Sequence, residues 1–307
     1  MIQTALTVKR QGVLAAAWRL EPASNSTEDQ RRAEFVHRAF ETMEGSPLSI
    51  LSAAMDSFVR GWSIQELIFN PDWTLRAVHP KDPSCFGLDV DAFGQITGVI
   101  LRLPGETPVN LPRAKFVVHV HRAGFARPKG RSDLDAAYSH YVAKQSLLNA
   151  WKSHLERFAS PTVVGKYPVG LPAVQQQALL DALNRLDQNA ALTVPSEITI
   201  DSLGGSTDAS QGFMDAIQFH NREMARAILG QTLTTDEGAR VGSLALGKVH
   251  MQVLLLQLQA LRREFADQVM TEQVIRPIVE LHFGPGGVPR FVFEEVAASA
   301  FVDGVVK

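Results

Sequence analysis

His119 and His121 lie two residues apart in a short apolar run, and their side chains could do chemistry together. In an extended strand, residues two apart face the same side, so both imidazoles could ligate one metal ion. A metal site needs a third ligand, and none lies nearby at strand or helix spacing. Asp89 and Asp91 are separated by a predicted hairpin. Two interpretations remain, a metal-binding pair and two histidines beside a basic loop, and the sequence favours the second.

Six basic residues cluster around the same strand, and no aspartate or glutamate occurs from the first of them to the last. They are Arg113, Lys115, Arg122, Arg127, Lys129 and Arg131. A run of like charge is commonly a solvated loop. The alternative is a surface that faces an anion, such as the phosphates of nucleic acid. The pattern leaves both interpretations open.

Sequence signatures of the common catalytic sites are missing. The chain contains no Walker-type phosphate loop, no G-x-S-x-G elbow, no H-E-x-x-H motif and no paired cysteines. Gly204-Gly205-Ser206 lies between a predicted strand and a predicted helix, where backbone N–H groups can bind an anion. Without an accompanying lysine, this tripeptide is more typical of a turn. We therefore predict that the chain is not an enzyme and holds no cofactor or metal.

The composition is that of a globular protein with little overall charge. The 307 residues carry a formal net charge of −2, so any attraction to nucleic acid must be local. The single Cys85 excludes an internal disulfide and fits a reducing compartment. The N-terminus lacks a signal-peptide pattern, and the most apolar run, 253–258, is too short to span a membrane. These features predict a soluble, cytoplasmic product.

The first 132 residues combine helical and strand periodicities. Helices are predicted at 4–20, 29–43 and 47–60, the first running into a strand-like Trp-Arg-Leu-Glu-Pro segment. Strands are predicted at 62–69, 73–79, 84–90, 95–103 and 116–121, with a hairpin turn at 91–95. Together they predict one small mixed or antiparallel sheet with helices on one face, which is an α+β architecture.

A long helix is predicted over 133–159, capped by Ser132 or Asp133 and carrying one apolar stripe along its whole length. The insert that follows is too small to bury much core alone, so packing against a neighbouring chain should stabilise it. Its predicted elements are a strand at 161–167, a helix at 172–187 and strand structure at 191–200.

The stretch after the next predicted helix, 207–229, is rich in threonine, glycine and small residues and predicts a loop over 230–247. Eighteen residues without secondary structure are unusual between two strong helices. Such a length indicates a functional or a mobile segment. The last helix is predicted over 248–283 with a kink at Pro277, followed by a strand at 289–294.

Four segments occur in an order and spacing that resemble a known family. The first is the strand with its histidine-rich turn, followed by Gly-Arg-Ser-Asp-Leu at 130–134. The others are Val-Leu-Ala at 13–15 with Trp-Arg-Leu-Glu-Pro at 18–22, Gly-Lys-Tyr-Pro at 165–168, and Ile-Leu-Gly-Gln-Thr-Leu-Thr-Thr at 228–235. Across nearly the whole chain, this arrangement resembles the phage portal proteins, most closely the Mu-like prophage portal family.

The resemblance implies a ring subunit, typically one of twelve, at a capsid vertex, with DNA passing through the central channel during packaging and ejection. In the terms used for that family, the chain divides into a wing (1–132), first stem helix (133–159), clip (160–206), second stem helix (207–229), tunnel loop (230–247), long tunnel helix (248–283) and C-terminal strand and tail (284–307). The residues then expected to line the DNA channel are Thr234, Thr235, Asp236, Glu237, Arg240 and Lys248.

The resemblance also implies partners and a location. The partners are further copies of the chain, double-stranded DNA, the terminase large subunit, a head-completion or adaptor protein, and the major capsid or scaffolding protein, with no membrane. The location is the capsid vertex of the virion, and the host cytoplasm during assembly. Beside the family, the sequence looks cut at both ends. The alternatives are therefore an inactive prophage remnant of a portal protein and, remotely, a metal-dependent enzyme using His119 and His121.

Overall fold

The computed structural model describes residues 1–124, 127–159, 162–167, 169–186, 199–203, 207–231 and 244–294. The chain divides into two compact units. The first unit comprises Met1–Tyr138 and Arg222–Lys307, and the second comprises Ser139–Asn221. None of the helices in the described parts of the chain combines the length and the apolar character that crossing a membrane requires.

The first unit begins with helices whose ends follow from local capping. Ser26 accepts a hydrogen bond from the backbone of Asp29 at 3.1 Å, and Ser46 and Ser49 form a reciprocal capping box. The sequence predicts one helix over 47–60, whereas the structure has two, the second ending at Gly61 with φ 85°. The elements are α1 (Ile2–Leu14), β1 (Trp18–Glu21), α2 (Thr27–Thr42), α3 (Pro47–Ala54) and α4 (Ser57–Arg60).

Two three-stranded antiparallel sheets replace the single sheet that the sequence predicts. Their strands are β2 (Trp62–Phe69), β3 (Leu75–Lys81), β4 (Phe86–Val90), β5 (Ile96–Leu101), β6 (Val109–Pro112) and β7 (Phe116–Val120). The strand orders are β3-β2-β7 and β4-β5-β6. The predicted turn at 91–95 is confirmed, since the Asp91 N–H donates to the Gln95 carbonyl at 2.9 Å. Strand β6 was not predicted because its residues are mostly exposed and show no apolar alternation.

Strand β7 has the two faces that its alternation predicts. Phe116 and Val118 join a buried cluster with Trp62 and Ile64 of β2 and Val99 of β5. On the opposite face, Val117 belongs to the main core. His119 and His121 share that face, because residues two apart on a strand point the same way.

The second unit contains an insert between two long helices, with a strand and a helix where the sequence predicts them. The second strand was predicted at 191–200. It lies at Thr199–Leu203, and residues 191–198 lie outside the described part of the chain. The two strands of the insert pair antiparallel, with Thr162 opposite Leu203 and Lys166 opposite Thr199. The long helices extend into the first unit at their other ends. The elements are α5 (Leu134–Ala159), β8 (Thr162–Lys166), α6 (Ala173–Leu186), β9 (Thr199–Leu203) and α7 (Thr207–Leu229).

The last helical stretch changes register in the middle. Helix α8 (Leu244–Glu264) begins earlier than predicted and passes into a π-helical segment, Phe265–Ile275, before α9 (Arg276–Phe283). The backbone N–H of Arg276 donates to the carbonyl of Thr271, five residues back. Pro277 lacks an N–H, and its ring crowds the preceding turn of an α-helix. The sequence predicts a kink at Pro277. The structure has a π-helical segment just before this proline, and the helix continues after it.

The N-terminal and C-terminal parts of the first unit meet in a two-stranded sheet. Strand β10 (Arg290–Phe293) pairs antiparallel with β1, which places Trp18 opposite Phe293. Trp18 stacks on Phe291 with ring centroids 5.0 Å apart. The strands predicted near the two ends of the chain are confirmed, and they pair with each other.

Gln273 of the π-helical segment closes the free edge of β7. Its side-chain oxygen accepts from the Val118 N–H at 2.8 Å, and its side-chain nitrogen donates to the Val118 carbonyl at 3.0 Å. Arg113 donates to the same Gln273 oxygen at 2.5 Å. The amide thus satisfies both backbone groups that a further strand would otherwise pair with.

Replacement of Gln273 by alanine should lower the free energy of unfolding by about 1–3 kcal/mol, because the backbone groups of Val118 lose their partners in a buried place. Urea denaturation measures the change. The exposed Gln30 of α2 provides the matched control, and its replacement by alanine should be nearly neutral. Equal stabilities of the two variants would contradict the role given to Gln273.

Candidate functional site

The loop after β7 folds back against the end of that strand. Gly130 has φ 68°, and a Cβ atom on it would lie 2.2 Å from the carbonyl oxygen of His121 and 2.6 Å from that of Gly61. Only glycine fits so close an approach. The Arg131 N–H then donates to the His121 carbonyl at 2.8 Å. The glycine that opens Gly-Arg-Ser-Asp-Leu therefore lets the loop return to the strand.

The next two residues attach the start of α5 to the end of α4. The Ser132 hydroxyl donates to the carbonyl of Val59 at 2.6 Å, and the Asp133 N–H donates to that of Phe58 at 2.8 Å. The Ser132 oxygen also accepts from the Leu134 N–H at 3.0 Å. Of the two predicted caps, Ser132 therefore uses its side chain locally, whereas the Asp133 side chain turns into the interior.

The Asp133 carboxylate has no exposed surface and is surrounded by cations. Lys9 of α1 contacts one of its oxygens at 2.6 Å. The other oxygen lies 2.9 Å from Nε2 of His121 and 3.2 Å from the guanidinium of Arg122. Lys9 also lies over the Phe58 ring, 4.2 Å from its centroid. Three segments that are distant in the sequence thus converge on one buried charge.

His119 is held in a second buried chain of hydrogen bonds. Its Nδ1 lies 2.8 Å from the Ser57 hydroxyl, and its Nε2 lies 2.9 Å from a carboxylate oxygen of Glu264. The imidazole stacks on Phe265 with ring centroids 4.4 Å apart. Both ring nitrogens are therefore engaged. The same chain links α4 and β7 to the junction of α8 and the π-helical segment.

These contacts shift the pKa values of the buried groups. Burial lowers the pKa of Lys9 below its usual value, although Asp133 opposes that shift. Burial raises the pKa of Asp133, but the hydrogen bond from His121 and the charge of Lys9 together hold it below the usual value. The hydrogen bond from His119 lowers the pKa of Glu264. Both carboxylates are thus kept charged by their partners.

The arrangement does not support a metal site at His119 and His121. Each imidazole binds a different carboxylate, Glu264 for His119 and Asp133 for His121. Within the described residues, no group of three or more potential ligands lies close enough to hold a metal ion. The geometry of these residues therefore gives no support to a metal-dependent enzyme that uses the two histidines. They are structural residues whose side chains contact the carboxylates of Asp133 and Glu264.

Ser57, His119 and Glu264 repeat the hydroxyl–imidazole–carboxylate order of hydrolase triads. A nucleophile must be reached by substrate, yet Ser57 is completely buried. Two cavities among the described residues, of about 520 and 410 Å³, are lined by other side chains. The hydrogen-bonded chain therefore positions structural elements and offers no route for a substrate.

The six basic residues do not form one surface. Arg113 donates to Gln273 and to the backbone of Phe116, and Arg122 contacts Asp133, so these two serve the fold. Arg127 lies 3.9 Å from Asp135, with both side chains exposed. Lys115, Lys129 and Arg131 are exposed, and none of them forms an ion pair within the described parts of the chain. Only four of the six side chains therefore remain available, either for a solvated loop or for a surface that faces an anion.

The residues expected to line a DNA channel lie almost entirely outside the described part of the chain. Thr234, Thr235, Asp236, Glu237 and Arg240 belong to 232–243, and Gly204-Gly205-Ser206 lies outside the described residues as well. Lys248 lies in α8 rather than next to it, because the helix begins at Leu244. Their assignment to a channel stays a prediction.

Three partners in the buried network were not singled out from the sequence. Lys9, Ser57 and Glu264 lie in three different helices, and nothing in their immediate neighbours distinguishes them from surface residues. The available signal was Asp133 itself, which follows a strand whose two histidines share one face. An acidic residue there requires cations nearby if it is buried.

Replacement of Asp133 by asparagine should lower the free energy of unfolding by about 3–5 kcal/mol, because Lys9 would be left as a buried charge without its counterion. Urea denaturation near neutral pH measures the loss. Replacement of Asp135 by asparagine is the matched control. It removes a fully solvated ion pair with Arg127 and should cost less than about 1 kcal/mol. A similar cost for both variants would contradict the network.

The stability should also fall in acid. The pKa values of Asp133 and Glu264 are lower in the folded chain than in the unfolded chain, so their contribution is complete above the ordinary carboxylate pKa of about 4 and is lost as the pH falls through the lowered values. Replacement of Glu264 by glutamine should make this decline shallower. Urea denaturation at a series of pH values tests it, and an unchanged slope would contradict the assignment to Glu264.

Solved structures with the same fold come from phage-like particles. The virion of a native gene transfer agent particle contains a chain that matches 99% of this one over 83% of its own length, with a TM-score of 0.67 and 13% identity. The neck of a native gene transfer agent particle, computed with C12 symmetry, gives the same TM-score at 12% identity. An HK97 family phage portal protein from Corynebacterium diphtheriae matches 98% of this chain and 93% of its own, with a TM-score of 0.51 and 10% identity. The predicted portal-like α+β fold is confirmed.

Two proteins from Mu-like phages are similar to this chain in sequence. The Mu-like prophage FluMu protein gp29 of Haemophilus influenzae is 27% identical across 100% of this chain and 60% of its own length. The portal protein of Escherichia phage Mu is 27% identical across 81% of this chain and 48% of its own length. The chain therefore spans about half to three fifths of these relatives. Residues 1–300 match the family described as the portal protein of Mu bacteriophage, and the chain belongs to that family.

Proposed function

We propose that the chain is the subunit of a ring-shaped portal through which double-stranded DNA enters and leaves a capsid. The observation that carries this function is the family match along residues 1–300, because it covers the helices, the insert and the segment between α7 and α8 together. The role is structural rather than catalytic. The buried Ser57 and the two partnered histidines supply no accessible reactive group.

We assign the regions by their order along the chain. The α+β part before α5 is the wing, α5 and α7 are the two stem helices, and the insert between them is the clip. Residues 230–247 form the tunnel loop, although their last four residues belong to α8, and α8 with the π-helical segment and α9 forms the long helix behind it. The strand–helix–strand composition of the insert supports the clip assignment, since so small a unit gains stability by packing on neighbouring subunits.

Exposed apolar side chains on the long helices support assembly into a ring. In the second unit, Tyr141 and Leu155 of α5 are 44% and 46% exposed, and Phe219 of α7 is 51% exposed. In the first unit, Leu256 of α8 is 65% exposed. Large exposed apolar patches on a protein surface commonly mark sites of contact with another protein. Further copies of the chain would cover these faces, and twelve is the number carried over from the family.

The overall charge suits a channel that guides DNA without holding it. A strongly basic surface would bind the phosphates tightly and slow movement. The net charge of −2 and the mixed signs of Asp236, Glu237 and Arg240 avoid that. Repeated around a ring, these residues would form alternating charges at the narrowest point, with Thr234, Thr235 and Lys248 beside them. The exposed Lys115, Lys129 and Arg131 remain candidates for a second anion contact on the wing.

The remaining partners follow from the same assignment. A terminase large subunit and a head-completion or adaptor protein would dock at the clip, and the major capsid or scaffolding protein would contact the wing. The subunit would be assembled in the host cytoplasm and reside at a capsid vertex in the virion.

A triple variant of the loop tests the channel. Replacement of Asp236, Glu237 and Arg240 by serine should leave the size of the assembled ring unchanged and lower the amount of DNA packaged into capsids built on it, because the charges that face DNA are removed. The matched control replaces Asp89, Glu106 and Arg102 by serine, which removes the same residue types from exposed positions of the wing. Packaging at the control level, or loss of the ring, would contradict the role of the loop.

A further inference from the structure

A pair of histidines inside the second unit faces each other across the two long helices. His140 of α5 and His220 of α7 approach with their Nδ1 atoms 3.0 Å apart. Both side chains are half-buried, and their rings are tilted by 50° with centroids 5.3 Å apart. This pair is separate from His119 and His121, whose nitrogens bind carboxylates. Within the described residues, the hydrogen-bond partner of each Nδ1 is the other imidazole.

The surroundings hold both rings in place. Phe219 packs against His220 at 5.2 Å and against His140 at 6.2 Å between ring centroids. One residue beyond His220, Asn221 accepts a hydrogen bond from Lys144, one turn beyond His140, at 2.8 Å. Metal sites need ligands that are positioned before the ion arrives. Side chains on two rigid helices with this packing meet that requirement.

The separation of the two nitrogens fits a right-angled chelate. With metal–nitrogen distances of roughly 2.0–2.1 Å, nitrogens 3.0 Å apart subtend an angle of about 90° at the metal. A tetrahedral ion such as zinc would require a separation of about 3.3 Å at the same bond lengths. Right angles occur in the square-planar and octahedral spheres of Cu²⁺ and Ni²⁺, and both ions bind imidazole well.

We propose that His140 and His220 form a two-imidazole site for a late divalent transition metal, Cu²⁺ or Ni²⁺, which cross-links α5 to α7. No group of three or more potential ligands is found among the described residues, so water completes the coordination sphere. The site goes beyond the portal function and does not depend on it.

Metal binding requires a shift of tautomer and a rotation of the rings that turns both Nδ1 lone pairs towards one ion. In the metal-free pair, one imidazole carries its proton on Nδ1 and donates it to the lone pair of the other Nδ1. Binding requires both Nδ1 lone pairs, so the donor's proton moves to its own Nε2 through solvent. The proton stays on the same imidazole, so this step releases none. The hydrogen bond between the rings is exchanged for two metal–nitrogen bonds.

Titration of the full chain without an affinity tag with Ni²⁺ by isothermal calorimetry tests the site. One equivalent per chain should bind, and Zn²⁺ should bind more weakly. Replacement of either His140 or His220 by glutamine should weaken Ni²⁺ binding by about 10²-fold, because a second tethered ligand adds a factor of that order. The exposed His79, replaced by glutamine, is the matched control and should leave the affinity unchanged.

Equal affinities in all three variants, or no saturable binding by the unaltered chain, would overturn the proposal. A spectroscopic measurement on the unaltered chain guards against variants that fail to fold. With one equivalent of Cu²⁺, electron paramagnetic resonance should show hyperfine splitting from two imidazole nitrogens. A spectrum with fewer nitrogens would overturn the chelate even if Ni²⁺ binds.

Discussion

A carboxylate with no exposed surface lies at the start of α5, and the first unit depends on its neutralisation. The free-energy cost of burying an isolated charge exceeds the net free energy of unfolding of a typical domain. Asp133 is therefore tolerated only because Lys9 arrives from α1, His121 from β7 and Arg122 from the following turn. Any displacement of α1 or β7 would separate the ions. The requirement for these contacts fixes where the long helix begins.

Partnered polar groups also connect other elements of that unit. Gln273 pairs with both free backbone groups of Val118, and His119 joins Ser57 to Glu264. The π-helical segment that carries Gln273 is almost wholly buried at its apolar positions. The long helices differ from this interior, because they present apolar side chains such as Leu155 and Leu256 to solvent. A unit with a complete interior and helices with uncovered faces is the arrangement expected of a protein that assembles with copies of itself.

Strong periodicity made much of the fold predictable from the sequence. The two faces of β7, the turn at 91–95 and the first strand and helix of the insert all follow from local patterns. Strand β6 was missed because it is short and exposed, and the second sheet with it. The buried network was missed because its partners, Lys9 and Glu264, lie far from Asp133 in sequence, and long-range pairing leaves no local signal. The basic run left a solvated loop and an anion-facing surface both open, and neither interpretation anticipates the contact of Arg122 with the buried Asp133.

The mass of the purified full chain in solution, measured by native mass spectrometry or mass photometry, tests the proposed ring most directly. A portal subunit should assemble into a closed ring of about twelve copies of the 33.6 kDa chain, or about 400 kDa. The exposed faces of α5, α7 and α8 would then be covered by neighbouring copies. A chain that remains monomeric at every concentration measured would contradict the ring and, with it, the proposal that this chain forms a DNA channel.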